Sequence, residues 1–393
     1  MNAPARLLAA PDPSFAAHRS TFGAFRTLPL DDLLRELEAS ALTGRGGAGF
    51  PVHRKLAAVA RASAGGGAPA VVANGSEGEA LSAKDATLLA RSPHLVVDGI
   101  LLCAAALGAK DLRLVVDERA APAVRAALAE RDDAFAILVA PARGGFTGGE
   151  ASALVAGLDG RMAVPADRVV RLSERGLRRA PTLVQNVETL AHIALIARYG
   201  ADWHRLVGAP GDPGTRLVTV SGTRSPVVRE VAGGTAIRTV LRAAGEPDDR
   251  PVLVGGFHGA WLEPAALDAA LSPDGLARHD ASPGAGVLHV LPDGRCGLQA
   301  TGDILAVLAA ASTRQCGPCA NGLPRLAELL RLLLAGQDVR GELHRVAGLV
   351  DGRGACHHPD GTVRMLRSAL AVFSADADAH AHGRCLAREG VAA

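Results

Sequence analysis

The sequence predicts an α/β protein: a Rossmann-like domain on a parallel sheet, then a β-grasp-like insert, then a C-terminal helical bundle. Three observations lead there. Short apolar runs alternate with helix-length segments through the first half, the pattern of strands joined by helical crossovers. A Gly/Pro-rich tract at 208–214, GAPGDPG, introduces closely spaced alternating runs. From Gly302 onward the pattern is almost wholly helical, and four of the six cysteines fall in that last quarter.

In chain order, residues 1–40 read as a helical lead-in whose clearest amphipathic turn is 31–39. A strand–loop–helix unit is expected over about 40–65. After a glycine-rich break at 64–68 comes a short buried strand, 70–74, ending in Asn74. Helices are expected near 86–89 and 93–107, a strand at 112–116, a helix at 121–130 and a strand at 136–140. The tract 208–214 reads as a linker. Beyond it, 216–222 and 226–230 alternate like paired strands, 234–242 is a capped helix and 251–256 a third strand. A loop at 281–286 leads to the helical region. The expected domains are 1–207, 215–295 and 302–390.

Composition excludes several classes. Apolar residues at 48% and charged residues at 21% are those of a globular chain, not a disordered one. A net charge of +2 with dispersed arginines argues against a nucleic-acid partner. The longest apolar stretch, near 100–109, is about half of the roughly 20 residues a membrane helix needs. The start, MNAPARLLAAPDPSF, lacks the apolar core and cleavage site of a signal peptide. A cytoplasmic protein without direct membrane insertion is expected. Six cysteines in 393 residues do not make a disulfide framework. Cys103 reads as a core thiol and Cys296 as a turn cysteine with no partner, whereas Cys316, Cys319, Cys356 and Cys385 form a group that needs a purpose.

Lysine is rare: Lys55, Lys84 and Lys110 are the only three among 42 basic residues. Two of them lie in the motifs that carry chemistry. TGRGGAGFP, from Thr43 to Pro51, sets four glycines around Arg45, so that backbone amides can approach an anion, and Lys55 follows as a point charge. NGSEGE, from Asn74 to Glu79, follows the 70–74 strand and closes with Lys84-Asp85, at the carboxyl end where open α/β sheets place ligands. A third motif, GGFTGGEASAL from Gly144, runs from a glycine loop into a helix behind Glu150. The fourth, PTLVQNVETL from Pro181, presents the adjacent amides Gln185 and Asn186 just ahead of a helix. An ordinary glycine-rich turn and a solvated acidic loop are the plain alternatives for the first two.

Together, in this order, the four motifs resemble the FMN-binding subunit of respiratory complex I and the flavin subunits of NAD-linked hydrogenases and formate dehydrogenases. That family runs GRGGAGFP, NxDEGExxxxKD, GEExxL and PTxxNNVETL, then a β-grasp insert of the SLBB-like kind and a helical bundle with a cysteine cluster. The resemblance spans about residues 40–385. It implies that Gly44, Arg45, Gly46 and Gly47 cradle the FMN phosphate and that Lys55 balances its charge. Asn74, Glu77, Gln185 and Asn186 would contact the isoalloxazine or ribityl groups. Phe50, Glu79, Phe146 and Glu150 would lie where the family binds NADH. The implied activity is that of an NADH dehydrogenase-like oxidoreductase: hydride passes from NAD(P)H to FMN, then single electrons to a [4Fe–4S] cluster and a ferredoxin-like or complex-subunit partner. Two alternatives remain open: a flavin and Fe–S module that does not oxidise NADH, and a redox-inactive scaffold subunit.

The chain departs from the family in two places. The cluster motif should read CxxCxxC with a later cysteine, but Thr313 stands at the first position, leaving Cys316, Cys319 and Cys356. Cys385 is the expected fourth ligand, ahead of His357 and His358. The same residues also suit zinc, or no metal. At the NADH site, Ala58 and Arg171 stand where relatives stack adenine on phenylalanine. Phe146 replaces a tyrosine, Ala151 a glutamate and Ser76 an aspartate. Loss of stacking worth about 1–3 kcal/mol implies dinucleotide binding weakened by roughly 5- to 150-fold. Arg171 would compensate by stacking its guanidinium or would select a phosphorylated dinucleotide.

Overall fold

The computed structural model describes residues 5–167 and 169–389. The outer ends of the first and third expected domains, 1–4 and 390, and the first four residues of the N-terminal segment read for targeting lie outside them. Four strands, β1 (Ala70–Gly75), β2 (Asp111–Val116), β3 (Ile137–Pro141) and β4 (Thr182–Asn186), form a parallel sheet in the order β3-β2-β1-β4. β1 is apolar on both faces because both are covered. Val71, Ala73, Leu112, Leu114 and Leu183 point to one core, and Ala70, Val72, Val115 and Val184 to the other. The period-two alternation of a strand produces that sorting.

The longer helices of this part are α1 (Phe15–Phe22), α2 (Leu30–Ala39), α3 (Val52–Ser63), α4 (Lys84–Arg91), α5 (Pro93–Leu107), α6 (Ala121–Ala129), α7 (Ala151–Leu158) and α8 (Val187–Arg205). α5 opens on Pro93 and stops at the left-handed Gly108. It crosses α8 so closely that a Cβ on Gly99 would sit 2.2 Å from the Leu190 carbonyl oxygen. Among the described residues no single helix is long and apolar enough to cross a membrane; α4 and α5 qualify only as a pair bent by 93°.

Two expectations fail here. No strand precedes α3: Thr43 and Pro51 make only an isolated bridge, because the intervening glycines, with Gly47 and Gly49 at positive φ, turn the chain back on itself. The tract 208–214 is no linker either. It folds into a two-stranded hairpin, Gly208–Ala209 with Asp212–Pro213, whose Asp212 is buried.

The second sheet comprises β5 (Thr215–Ser221), β6 (Val227–Ala232), β7 (Val252–Val254), β8 (Ala260–Leu262) and β9 (Val287–Val290), with α9 (Ile237–Ala244) between β6 and β7. Its order is β8-β7-β9-β5-β6; β9 runs parallel to β5 and antiparallel to β7. Two outer hairpin strands around a central parallel pair is the order the term β-grasp denotes; the narrower SLBB-like label rests on the resemblance alone. Helices α10 (Gly297–Ala310), α11 (Leu323–Leu334), α12 (Arg340–Val350), α13 (His358–Val372) and α14 (Ser374–His380) follow. Leu323, Leu326, Leu330 and Leu333 recur at helical spacing along α11 and are fully buried. Contacts divide the chain into two compact units. One runs up to Val164, continues to Val218 and includes Val228–Thr235; the other holds Pro165–Asp167, Thr219–Val227 and everything from Ala236.

Candidate functional site

Strand order reverses between β1 and β4: β2 and β3 lie to one side of β1 and β4 to the other. Open α/β sheets bind ligands outside the carboxyl ends of the strands at such a switch point. Both strands carry amides near that end, Asn74 facing Asn186 in register and Gln185 lying beside Ala73. The first glycine loop reaches the same place. It is closed by the Gly44 amide donating to the Phe50 carbonyl at 2.9 Å, and Gly46 is so near β4 that a Cβ would stand 3.2 Å from that of Asn186. Residues 46–50 are exposed, Phe50 by 52%.

Within the expected phosphate cradle, the Arg45 side chain is buried and turned away from the loop's exposed face. Its amide donates to Thr189 Oγ1 at 2.9 Å, and its guanidinium turns inward to Asp212 Oδ1 at 3.2 Å and the Pro213 carbonyl at 3.3 Å. Asp212 also receives Arg216 at 2.5 Å. Arg45 is thus a buried bracket that holds the loop against α8 and the 208–213 hairpin. Lys55, on the first turns of α3, donates to the Val184 carbonyl at 2.5 Å. β4 is an edge strand with carbonyls left over on that side. Burial pushes the Lys55 ammonium down to about 8, and Glu150 draws it back up.

The second motif is tied to the third and fourth. Asn74 Nδ2 donates to the Gly149 carbonyl at 2.9 Å while its Oδ1 accepts from Ser76. Gly78 lies against Phe146, where a Cβ would be 2.9 Å from the carbonyl oxygen. Glu77 accepts from the amides of Asp85 and Ala86, each at 3.1 Å, and from Ser82 Oγ at 2.6 Å. It therefore caps α4, whose own N-cap residue, Ala83, has no side-chain acceptor. Glu150 similarly caps α7 through Ser152 and Ala153. Glu79 accepts from the Leu81 amide at 3.1 Å.

Beneath these loops lies a buried ionic group that the motif reading did not assign. Lys84 Nζ sits 2.6 Å from Asp85 and 2.9 Å from Glu188. Asn186 joins it, donating to Asp85 at 2.7 Å while its Oδ1 caps α8 through the Glu188 amide at 3.0 Å. Burial opposes the Lys84 charge, but Asp85 and Glu188 outweigh it and raise its pKa. Burial, with Glu77 and Glu188 close by, pushes the Asp85 carboxyl up to about 6 against the pull of Lys84. Asp85 and Glu188 were visible as letters in the KD and NVETL tails; only the register of β1 on β4 reveals that they meet. The four motifs therefore converge, although Asn74, Glu77, Asn186 and Arg45 spend their side chains on holding the loops. Ala58 is half-buried on α3, and Arg171 is exposed in a turn. A cavity of about 170 Å³ lined by Ser76, Arg143, Gly148 and Leu154 is below the range of about 300–1,000 Å³ for small-molecule pockets. The exposed glycine loop, not this cavity, is the open surface.

The cysteines separate into two groups. Cys319 is buried, and the Cys316 and Cys356 thiols both act on it; Cys316 receives the Ala355 amide, so the turn before Cys356 lies over it. Burial, then Cys316 and Cys356, push Cys319 up to about 12. His358 is committed on both ring nitrogens, to the Leu308 carbonyl at 2.9 Å and to His258 at 3.0 Å. His357 is exposed and turned to Asp360 at 3.4 Å. Cys385 is a correction: it stands with Cys296 and His380, all three ligand atoms lying within 4.8 Å of one another. Cys296, expected to lack a partner, is 3.3 Å from His380 Nε2. Cys103 is a core thiol as expected.

A glycine-framed switch point suits a phosphate-bearing cofactor, and three thiols that lie near one another suit a metal or iron–sulfur centre. Residues 37–195 match the family model described as the Nuo51 FMN-binding domain, and residues 299–380 match the NADH-ubiquinone oxidoreductase-F iron-sulfur binding region. The F 2 subunit of the NADH-quinone oxidoreductase of Rhizobium meliloti (strain 1021) is 29% identical over 380 residues, 90% of each chain. The corresponding F-type NADH-quinone oxidoreductase chain of Escherichia coli (strain K12) is 28% identical over 382 residues, 91% of this chain and 86% of its own. A chain of an NAD+-reducing [NiFe]-hydrogenase in the H2-reduced state superposes with a TM-score of 0.82 at 28% identity, over 89% of this chain and 63% of that one. The chain thus carries matches to both the FMN-binding and the iron–sulfur binding regions of the F-type subunits, and it is similar to such subunits over about nine-tenths of its length.

The residues present fit FMN. Gln185 Nε2 is buried with no partner, a donor whose desolvation costs about 1–3 kcal/mol until an acceptor meets it. Gly49, at positive φ, has nothing within 4 Å of its missing Cβ, so the loop face is open. For a [4Fe–4S] cluster the fit is three thiols, Cys316, Cys319 and Cys356, with Thr313 at the fourth place; its hydroxyl is 3.2 Å from Gln315 Nε2.

Proposed function

We propose that this chain is the flavin-bearing entry point of an NADH dehydrogenase-like oxidoreductase, passing electrons through an iron–sulfur cluster to a protein partner. Bound FMN supplies the acceptor for nicotinamide hydride and the donor of single electrons. The observation that carries the reading is the convergence of all four motifs at the β1/β4 switch point. The Gly44–Gly47 loop offers backbone to the phosphate, and Lys55 offers its ammonium. Gln185 provides the free amide donor for the flavin. Asn74, Glu77 and Asn186 act as positioning residues that fix the loops. Phe50 and Glu79, with Phe146 and Glu150, form the face for the dinucleotide. Cys316, Cys319 and Cys356 hold the cluster, with a non-cysteine ligand at the fourth iron. The functional parts are 1–207 for the flavin, 215–295 for the β-grasp module and 302–390 for the cluster. The partner is a ferredoxin-like protein or another component of a larger complex.

Protein purified without oxygen tests this directly. FMN and iron should be present, and NADH mixed in a stopped-flow instrument should bleach the flavin band. Protein that takes up no FMN under flavin supplementation refutes the reading.

A further inference from the structure

We propose that Cys296, His380 and Cys385 form a zinc site separate from the Cys316–Cys319–Cys356 cluster site. Distant parts of the chain build it. Cys296 is the N-cap residue of α10, so its sulfur lies at the start of a helix. His380 is the last residue of α14. The turn that follows is held by the Gly383 amide on the His380 carbonyl at 2.9 Å and the Arg384 amide on the Ala379 carbonyl at 3.0 Å, with Gly383 at φ 72. Only a left-handed residue reverses the chain there, and the reversal returns Cys385 to the imidazole.

Cys296 and His380 are buried and Cys385 is half-buried, and their three ligand atoms lie within 4.8 Å of one another. Tetrahedral ligands about 2.0–2.3 Å from a zinc ion stand about 3.3–3.8 Å apart, so a small closure completes the geometry. A carboxylate lies near this group without belonging to it. Asp376 lies one helical turn before His380, its Oδ1 is buried with no partner, and its charge acts on Cys296. A buried carboxylate oxygen without a donor, acting on the Cys296 thiol, is a poor arrangement for an apolar core and a good one for a cation. Two thiolates and an imidazole select zinc over magnesium or calcium, and are too few sulfurs for a cubane cluster.

The test is zinc and iron analysis of the anaerobically purified full chain, with Cys296→Ser, Cys385→Ser and Cys316→Ser variants. The wild type should carry about one zinc. Cys296→Ser and Cys385→Ser should lose it and keep their iron, whereas Cys316→Ser should lose iron and keep zinc. Because a serine variant can fail to fold, X-ray absorption at the zinc edge of the wild type gives an independent reading. It should show sulfur at about 2.3 Å mixed with nitrogen or oxygen at about 2.0–2.1 Å. Zinc-supplemented wild type that holds no zinc overturns the proposal. So does an all-sulfur shell, or iron lost from Cys385→Ser.

Discussion

Lys55 offers the sharpest test of the flavin site, because its role without ligand and its role with ligand pull in opposite directions. In the ligand-free chain, burial depresses its pKa from 10.5 to about 8. That depression corresponds to roughly 3 kcal/mol against the charged form at neutral pH. The bond from Nζ to the Val184 carbonyl returns about 1.5–3 kcal/mol as a charged donor. Lys55→Met keeps the apolar stem and removes both terms, so flavin-free stability in urea should change by no more than about 1.5 kcal/mol. The pH dependence supplies the sign. With the folded pKa below the unfolded one, the unfolded chain binds more protons between about pH 8 and 10.5, and wild-type stability rises across that window. The methionine variant should lack that rise. FMN binding should suffer far more: an ammonium lost from a phosphate, at about 2–3 kcal/mol, weakens affinity roughly 30- to 150-fold. Titration of flavin-free protein by quenching of FMN fluorescence measures it. An FMN affinity within threefold of wild type would refute the phosphate role, and an unchanged slope above pH 8 would refute the buried-charge account.

Other perturbations follow from the same contacts. Gly99→Ala drives a Cβ into the Leu190 carbonyl oxygen, 2.2 Å away, and should cost at least about 2 kcal/mol in a denaturation midpoint. Asp212→Ala leaves Arg45 and Arg216 buried without their carboxylate and should cost about 3–5 kcal/mol by urea unfolding, with Asp212→Asn recovering part of it. Asp85, pushed up to about 6 by burial and its acidic neighbours, binds its proton more tightly in the folded chain. Its stabilising contribution is complete below about pH 4 and is lost as pH rises through 6, so wild-type stability relative to Asp85→Asn should fall by up to about 3 kcal/mol between pH 4 and 7. A flat difference across that range would contradict the picture.

The parallel sheet was legible because β1, covered on both faces, carries an unbroken apolar run from Ala70 to Ala73, and β2 carries Leu112, Leu114, Val115 and Val116 around a single Arg113. The error at 40–50 has the same physical root in reverse: glycines carry no side chain from which a period can be read, and the TGRGGAGFP segment folds through positive φ values instead of pairing as a strand. At 208–214 the Gly and Pro letters mark a turn correctly but say nothing of burial. Asp212 is held inside by Arg45, 167 positions away, and no local pattern encodes such a partner. The motif residues show a related limit. Asn74, Glu77 and Asn186 were singled out as polar groups near a ligand, and the register of β1 on β4 brings Asn74 and Asn186 side by side at the switch point. Their side chains are nonetheless occupied with Gly149, the amides of α4 and the start of α8. Gln185, whose letter differs from the family asparagine, keeps the unengaged donor.

The cysteines carry this furthest. Cys319 and Cys356 are separated by two helices, α11 and α12, yet the fold returns one to the other, so a family spacing predicted their meeting. Cys385 was assigned to them by elimination, as the remaining thiol in the same quarter of the chain. Elimination counts residues and ignores direction. The left-handed turn at Gly383 aims Cys385 at His380 and across to the head of α10, where Cys296 waits in what the sequence shows only as a PDGRC turn. With Cys385 at the zinc site proposed above, three thiolates remain for the cluster, and Thr313 stands at the place of the family's first cysteine. The fourth iron is then the position most open to a non-thiolate ligand, and loss of iron should follow from Cys316→Ser, Cys319→Ser or Cys356→Ser but not from Cys385→Ser.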